Sequence, residues 1–256
     1  MPEILVPTET FLWQARVALV IAKKNAMIYY LKPPVVTFGV IFPLFFYLAF
    51  AAGHAGPADA MVPGITSMAL FFTASAVGPL VTPWERQAKT YERLVTSPAS
   101  LPAILVGDTL SGTVFGLLLS VLPLVIGLTA TSAHITAAPQ LFLGLILGSL
   151  AFSALGVLLS APASDTPSQV MMLSNLVRLP IIFVSGVFAP FAQMPEWGRW
   201  LAPLSPLSYG ADLIRVGFGE ASQFGSVTDA TALAAFTVVF LWMAHWLHGR
   251  TRNRAL

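Results

Sequence analysis

The chain of 256 residues contains no cysteine. That excludes a disulfide framework, iron–sulfur ligation and thiolate zinc sites, and says nothing of compartment. Charge is scarce as well. Only 9% of the residues are charged against 56% hydrophobic, and the mean hydropathy is +0.79. Soluble domains carry about 25% charged residues, so this chain has too little charge to coat a water-facing surface of its length. A net charge of +2 leaves no footprint for nucleic acid. No GxxxxGK[ST] phosphate loop occurs, so the chain does not hydrolyse ATP in that manner by itself. What remains is a membrane protein.

The charges fall in clusters, and the gaps between them suit helices that cross a bilayer, about 20 residues each. Six spans are expected, at 35–52, 65–82, 103–128, 140–160, 170–189 and 230–247. Helices are required because lipid offers the backbone no hydrogen-bond partner, and the alternating pattern of a barrel is absent. Pro43, Pro79, Pro123 and Pro180 lie inside spans, while Gly112, Gly116, Gly144 and Gly148 allow helices to approach closely. The expected fold is therefore an all-α polytopic membrane protein, one bundle of six transmembrane helices over 1–256 without an internal repeat.

Lysine and arginine set the orientation. Arg16, Lys23, Lys24 and Lys32 precede span one, Arg86, Lys89 and Arg93 follow span two, and Arg250, Arg252 and Arg254 close the chain. Connections 53–64 and 129–139 have none, and the long connection after span five has only Arg199 and Arg215. The positive-inside rule then puts both termini in the cytoplasm. Connection 161–169 belongs on the same side although it carries no basic residue.

Segment 9–32 is not a signal peptide, because Arg16, Lys23 and Lys24 interrupt or follow its apolar stretch. Phe11, Ala15, Ala18, Ala22, Ala26 and Tyr29 recur at three- and four-residue steps, with Glu9, Arg16 and Lys23 on another face. This predicts an amphipathic helix lying in the cytoplasmic interface, turned into span one by Pro33–Pro34. A seventh span is the alternative, and three central charges speak against it.

Connection 84–98 carries dense charge of both signs beside an apolar side of Tyr91, Leu94 and Val95. Glu85 and Lys89 stand four apart in the order that favours a helix, and Pro98 stops it. A solvated linker is the plain reading; a rigid protruding helix that inserts into a groove on another protein is the sharper one.

At this point a family resemblance emerges. Glu85, Arg86, Thr90, Glu92, Leu94 and Pro98 look like the coupling-helix motif of permease subunits of type-two ATP-binding-cassette exporters. A second stretch resembles the same family: Leu179–Pro180, Ser185–Gly186, Pro190, Met194–Pro195, Trp197, Pro206–Leu207, Tyr209, Asp212 and Arg215. The family usually has glycine before the coupling-helix threonine; this chain has Lys89.

The resemblance implies six spans after an interfacial helix, with a cytoplasmic coupling helix at 84–98 and short outer-face helices within 190–228. It implies a multi-pass protein of the prokaryotic plasma (inner) membrane, exporting a lipophilic or amphiphilic substrate (drug, lipid or lipid-linked glycan). Its partners are then a separate ATP-binding-cassette ATPase, a second permease subunit in a homodimer, and lipids. This chain binds no cofactor, and ATP and magnesium sit on the ATPase. The residues expected to meet the ATPase are Glu85, Arg86, Lys89, Thr90, Glu92 and Arg93. Arg178, Ser185 and Phe188 are expected along the substrate path, and Trp197 and Tyr209 at an outer gate.

Other chemistry finds little support. Phe183-Val-Ser-Gly186 resembles an intramembrane serine-protease elbow but lacks its first glycine, and His54, His134, His245 and His248 give that serine no evident partner. His245 and His248 lack a third metal ligand. A self-contained secondary transporter or channel is the competing function; it needs relay residues within the spans, for which Asp108 and Arg178 are the candidates. Arg178 itself has two readings: span five begins later and the side chain snorkels to the cytoplasmic headgroups, or it faces a cavity between protomers.

Overall fold

The computed structural model describes residues 11–32, 41, 45, 48–49, 58–161, 166–187 and 194–255. Among the described residues every regular element is helical. Five stretches are long and apolar enough to cross a membrane: Asp59–Gln87, Leu101–Ala130, Ala138–Leu159, Pro167–Val184 and Ser226–Arg250. They correspond to the second to sixth expected spans. The expected first span, 35–52, lies almost wholly outside the described residues.

Helix α1 (Phe11–Asn25) continues through a π turn at Ala26–Tyr30. Span two is built from α2 (Val62–Ala76) and α3 (Gly78–Gln87). The break falls at Val77 because Pro79 has no N–H to give and enforces a fresh first turn. A short α4 (Tyr91–Val95) follows, then α5 (Leu101–Ala130). Ser100 caps α5 by accepting from the Ala103 N–H at 3.3 Å, with Pro102 in the first turn. α6 (Ala138–Leu159) and α7 (Pro167–Val184) complete spans four and five. α8 (Glu196–Leu201) and α9 (Pro206–Gly217) precede α10 (Ser226–Ala255).

Three expectations need correction. Segment 84–98 is not one helix: Trp84–Gln87 ends α3, and the chain turns before the short α4. Span five starts at Pro167 rather than later, because Pro167 opens the helix ahead of the polar Ser168 and Gln169. It closes at Val184, where the Ser185 hydroxyl donates to the Ile182 carbonyl at 2.7 Å and Gly186 takes φ 74°. Finally, α9, expected as a short helix at the outer face, is enclosed by the bundle instead of lying over it. Nearly all its residues are buried, and it packs against α2, α6 and α10.

The core forms around Phe71 and Phe152, whose rings meet edge-on at 5.1 Å, with Leu70, Leu207, Leu213, Ile214 and Leu233. α5 lies close on α2: a Cβ on Gly116 would stand 2.7 Å from the Ala74 Cβ. The Thr136 and Ala137 N–H groups both donate to the Gly217 carbonyl, at 2.9 and 3.0 Å, tying the end of α9 to the start of α6. At the other end of the bundle, Leu101, Leu105, Val157, Leu158 and Ala244 cluster, and His248 Nε2 lies 3.2 Å from Ser160 Oγ. α1 lies against this second end, which also holds the end of α3 and the start of α7.

Candidate functional site

α1 meets the bundle through a face that the sequence pattern places only in part. Ala18, Ile21, Asn25 and Tyr29 are buried, whereas Phe11 is 85% exposed. The stripe is rotated from the expected one because protein, rather than lipid, receives it. Its closest approach is at Gly107 of α5, where a Cβ would stand 2.7 Å from the Ala18 carbonyl oxygen and 2.8 Å from the Ile21 Cβ. The opposite face of α1 carries Arg16 and Lys23 among exposed Leu12, Leu19, Val20 and Met27.

Four polar or aromatic ties fix this helix. Lys24 forms an ion pair with Glu85 of α3, and the Asn25 amide donates to the Asp108 carboxylate of α5. Tyr29 stacks on Trp84 at 5.5 Å, with the Lys32 ammonium 4.4 Å above the Trp84 ring. Gln14 accepts from the Ser100 hydroxyl at 2.7 Å, at the cap of α5. Burial, and after it the Glu85 charge, pushes the Tyr29 phenol above its ordinary range.

From this anchored base the chain turns outward. The Lys89 N–H donates to the Arg86 carbonyl at 3.0 Å and the Thr90 N–H to the Glu85 carbonyl at 2.9 Å, closing α3. Lys89 takes φ 54°, the left-handed region. The Arg86 guanidinium stands 4.9 Å above the Tyr91 ring, and the Ser97 hydroxyl donates to the Leu94 carbonyl at 2.6 Å. Lys89, Thr90 and Arg93 are exposed, Arg86 is half-buried, and the side chain of Glu92 lies outside the described residues. Glu85 is only 4% exposed. The expected Glu85–Lys89 helical pair is therefore replaced by Glu85–Lys24, and Glu85 belongs to the anchor rather than to the exposed turn. Sequence reasoning missed the roles of Lys24 and Asn25; the available signal was a polar pair in a segment whose neighbours face apolar surroundings.

The far end of the bundle is stitched differently. Asp212 of α9 accepts from the Ser222 hydroxyl at 2.9 Å and from the Gln223 and Phe224 N–H groups at 2.9 and 3.2 Å. Arg215 donates to the Gly186 carbonyl at 2.6 Å. Burial raises the Glu220 carboxyl, and Arg215 opposes that shift. Tyr209 is buried, its hydroxyl donating to the Pro203 carbonyl at 3.0 Å and its ring 5.0 Å from Phe224. Trp197 is 63% exposed. Ser185 is buried as the cap of α7, and Phe188 lies outside the described residues. Arg178 is 2% exposed within α7. Its side chain turns back toward the start of the helix, as snorkelling requires, but ends inside the bundle beside Met171 instead of in water.

Comparison with known proteins identifies the family of this helical bundle. Residues 16–218 match the family described as ABC-2 type transporter. The chain belongs to the ABC-2 type transporter family. It is accordingly a permease, the membrane subunit of an ATP-binding-cassette transporter rather than its ATPase, and a multi-pass membrane protein. The inner membrane transport permease YadH of Escherichia coli (strain K12) is 25% identical over 193 residues, covering 75% of each chain. The daunorubicin resistance ABC transporter permease protein DrrB1 of Streptomyces coeruleorubidus is 26% identical over 215 residues, 81% of this chain and 73% of that protein. Nodulation protein J of Bradyrhizobium diazoefficiens is 27% identical over 160 residues, 59% of this chain and 57% of that one. In this ABC-2 permease Lys89, where the chain departs from the coupling-helix resemblance, adopts the backbone conformation that favours glycine.

Proposed function

We propose that this ABC-2 permease is one half of a homodimeric exporter that moves a lipophilic or amphiphilic substrate out of the cytoplasm, driven by separate ATPase subunits that bind ATP and magnesium. The observation that carries this reading is the exposed turn of Lys89, Thr90 and Arg93 standing directly on the partly buried Lys24–Glu85 pair. A push on that turn is delivered to α3 and, through the pair, to α1. ATP-driven closure of the ATPases then biases the bundle between inward- and outward-favouring states.

The ATPase contact is assigned to Lys89, Thr90, Glu92 and Arg93, with Arg86 bracing the turn. The protein spans the inner membrane six times, 35–52 supplying the first crossing, and both termini lie in the cytoplasm, in keeping with the Lys/Arg distribution. Lipids contact the apolar outer faces of α1, α5 and α10. One relative is named for daunorubicin resistance, which supports a drug-like amphiphile. Family membership also disfavours the self-contained transporter, and Asp108, one of the two relay candidates for that function, is engaged by Asn25.

The test is replacement of Glu92 and Arg93 together by alanine. The variant should insert and express normally while substrate transport falls at least tenfold. Transport at the parental rate with the ATPase still bound would remove the turn from the coupling path.

A further inference from the structure

Among the described residues, one cation stands in the interior of a span without a counter-charge. Arg178 is 2% exposed; its Nε has no hydrogen-bond partner, and its Nη2 reaches the Met171 sulfur at 4.0 Å. Arg178 makes no ion pair among the described residues. Ser174, one turn earlier on the buried stripe Val170–Ser174–Arg178–Ile182, is fully buried, and its hydroxyl also has no partner.

No carboxylate among the described residues pairs with it. Glu85 is held by Lys24, Asp108 by Asn25 and Asp212 by the loop at 222–224. Segment 35–52 contains neither aspartate nor glutamate. A buried guanidinium without an anion is unfavourable in a medium of low dielectric, and such residues in spans face functional partners. An oxyanion would supply the missing charge and accept from the planar fork, and the Ser174 hydroxyl adds a further donor. The apolar Val170, Met171 and Ile182 around them suit the junction of a charged head and a hydrocarbon chain.

We infer that Arg178 and Ser174 bind the phosphate or carboxylate headgroup of an anionic amphiphile, reached from the end of the bundle that carries α1. This rests on the exporter reading for its meaning as a substrate site, but the binding itself does not. The same chemistry could come from a transported amphiphile or from a resident anionic phospholipid.

The experiment uses the full chain in phosphatidylcholine nanodiscs, without its ATPase, so that it tests binding even if the exporter reading fails. Dodecyl phosphate is titrated, with dodecyltrimethylammonium as the cationic control. The parent should bind the phosphate and not respond to the ammonium compound. Arg178→Lys should weaken binding at least tenfold by losing the fork, and Arg178→Met should abolish it. Arg178→Met should melt no lower than the parent, since it removes an unpaired buried charge. Ser174→Ala should weaken binding severalfold with the fold intact. Including phosphatidylglycerol separates the sources: loss of dodecyl phosphate binding identifies a lipid site, and undiminished binding identifies a site for the transported amphiphile. Equal binding by the parent and Arg178→Met would overturn the inference, as would a lower melting temperature of Arg178→Met in a parent that binds no anion.

Discussion

Lys24 and Glu85 lie sixty-one positions apart, yet their pairing decides how α1 meets the end of α3. The Glu85 side chain is 5% exposed and that of Lys24 is 30% exposed. Breaking a fully buried pair costs about 3–5 kcal/mol, and the partial exposure of Lys24 brings this to about 2 kcal/mol. Lys24→Gln or Glu85→Gln should therefore lower the thermal stability of the purified permease by that amount. The exchange Lys24→Glu with Glu85→Lys should recover at least half of it, as a double-mutant cycle would read. Two single losses that simply add would deny the pair. Lys89 supplies an independent test. A left-handed non-glycine residue carries about 1–2 kcal/mol of strain, so Lys89→Gly should raise stability by roughly 1 kcal/mol and Lys89→Val should lower it. Both follow from thermal unfolding curves. The sequence marked Lys89 as a departure from the family pattern; only the backbone angle shows why glycine would suit that position better.

At the scale of elements, the long spans were legible because about twenty apolar residues bounded by charge have few other solutions. α9 was not legible. Its proline, serines and glycine read as an outer connection, and their burial becomes visible only once α2, α6 and α10 surround them. Segment 84–98 was half legible: its charge pattern marked an exposed turn, but i,i+4 spacing suggested a helical pair where the chain turns. The exposure of the candidate site was legible at Lys89, Thr90 and Arg93, and Arg86 braces the turn against Tyr91. It was not legible in Glu85, whose partner comes from a distant helix. The docking of α1 is an element-scale claim with its own test. Gly107 leaves no room for a side chain against Ala18 and Ile21. Gly107→Leu should displace α1, destabilise the permease by about 1–3 kcal/mol and make α1 more susceptible to limited proteolysis. A proteolysis pattern identical to the parent's would show that α1 is not held there.

In the proposed exporter one end of the bundle receives motion from an ATPase, and the other is tied together around Asp212 and Arg215. The central claim is that the turn after α3 is where the ATPase sits. The absence of cysteine makes this directly measurable, because any single-cysteine variant carries one thiol. Arg93→Cys, Lys89→Cys and Ser222→Cys are each expressed with the partner ATPase in membrane vesicles and treated with a short bifunctional cross-linker. The account predicts a permease–ATPase adduct from positions 93 and 89 and none from position 222, which belongs to the opposite end. An adduct from position 222, or none from either position of the turn, would contradict it.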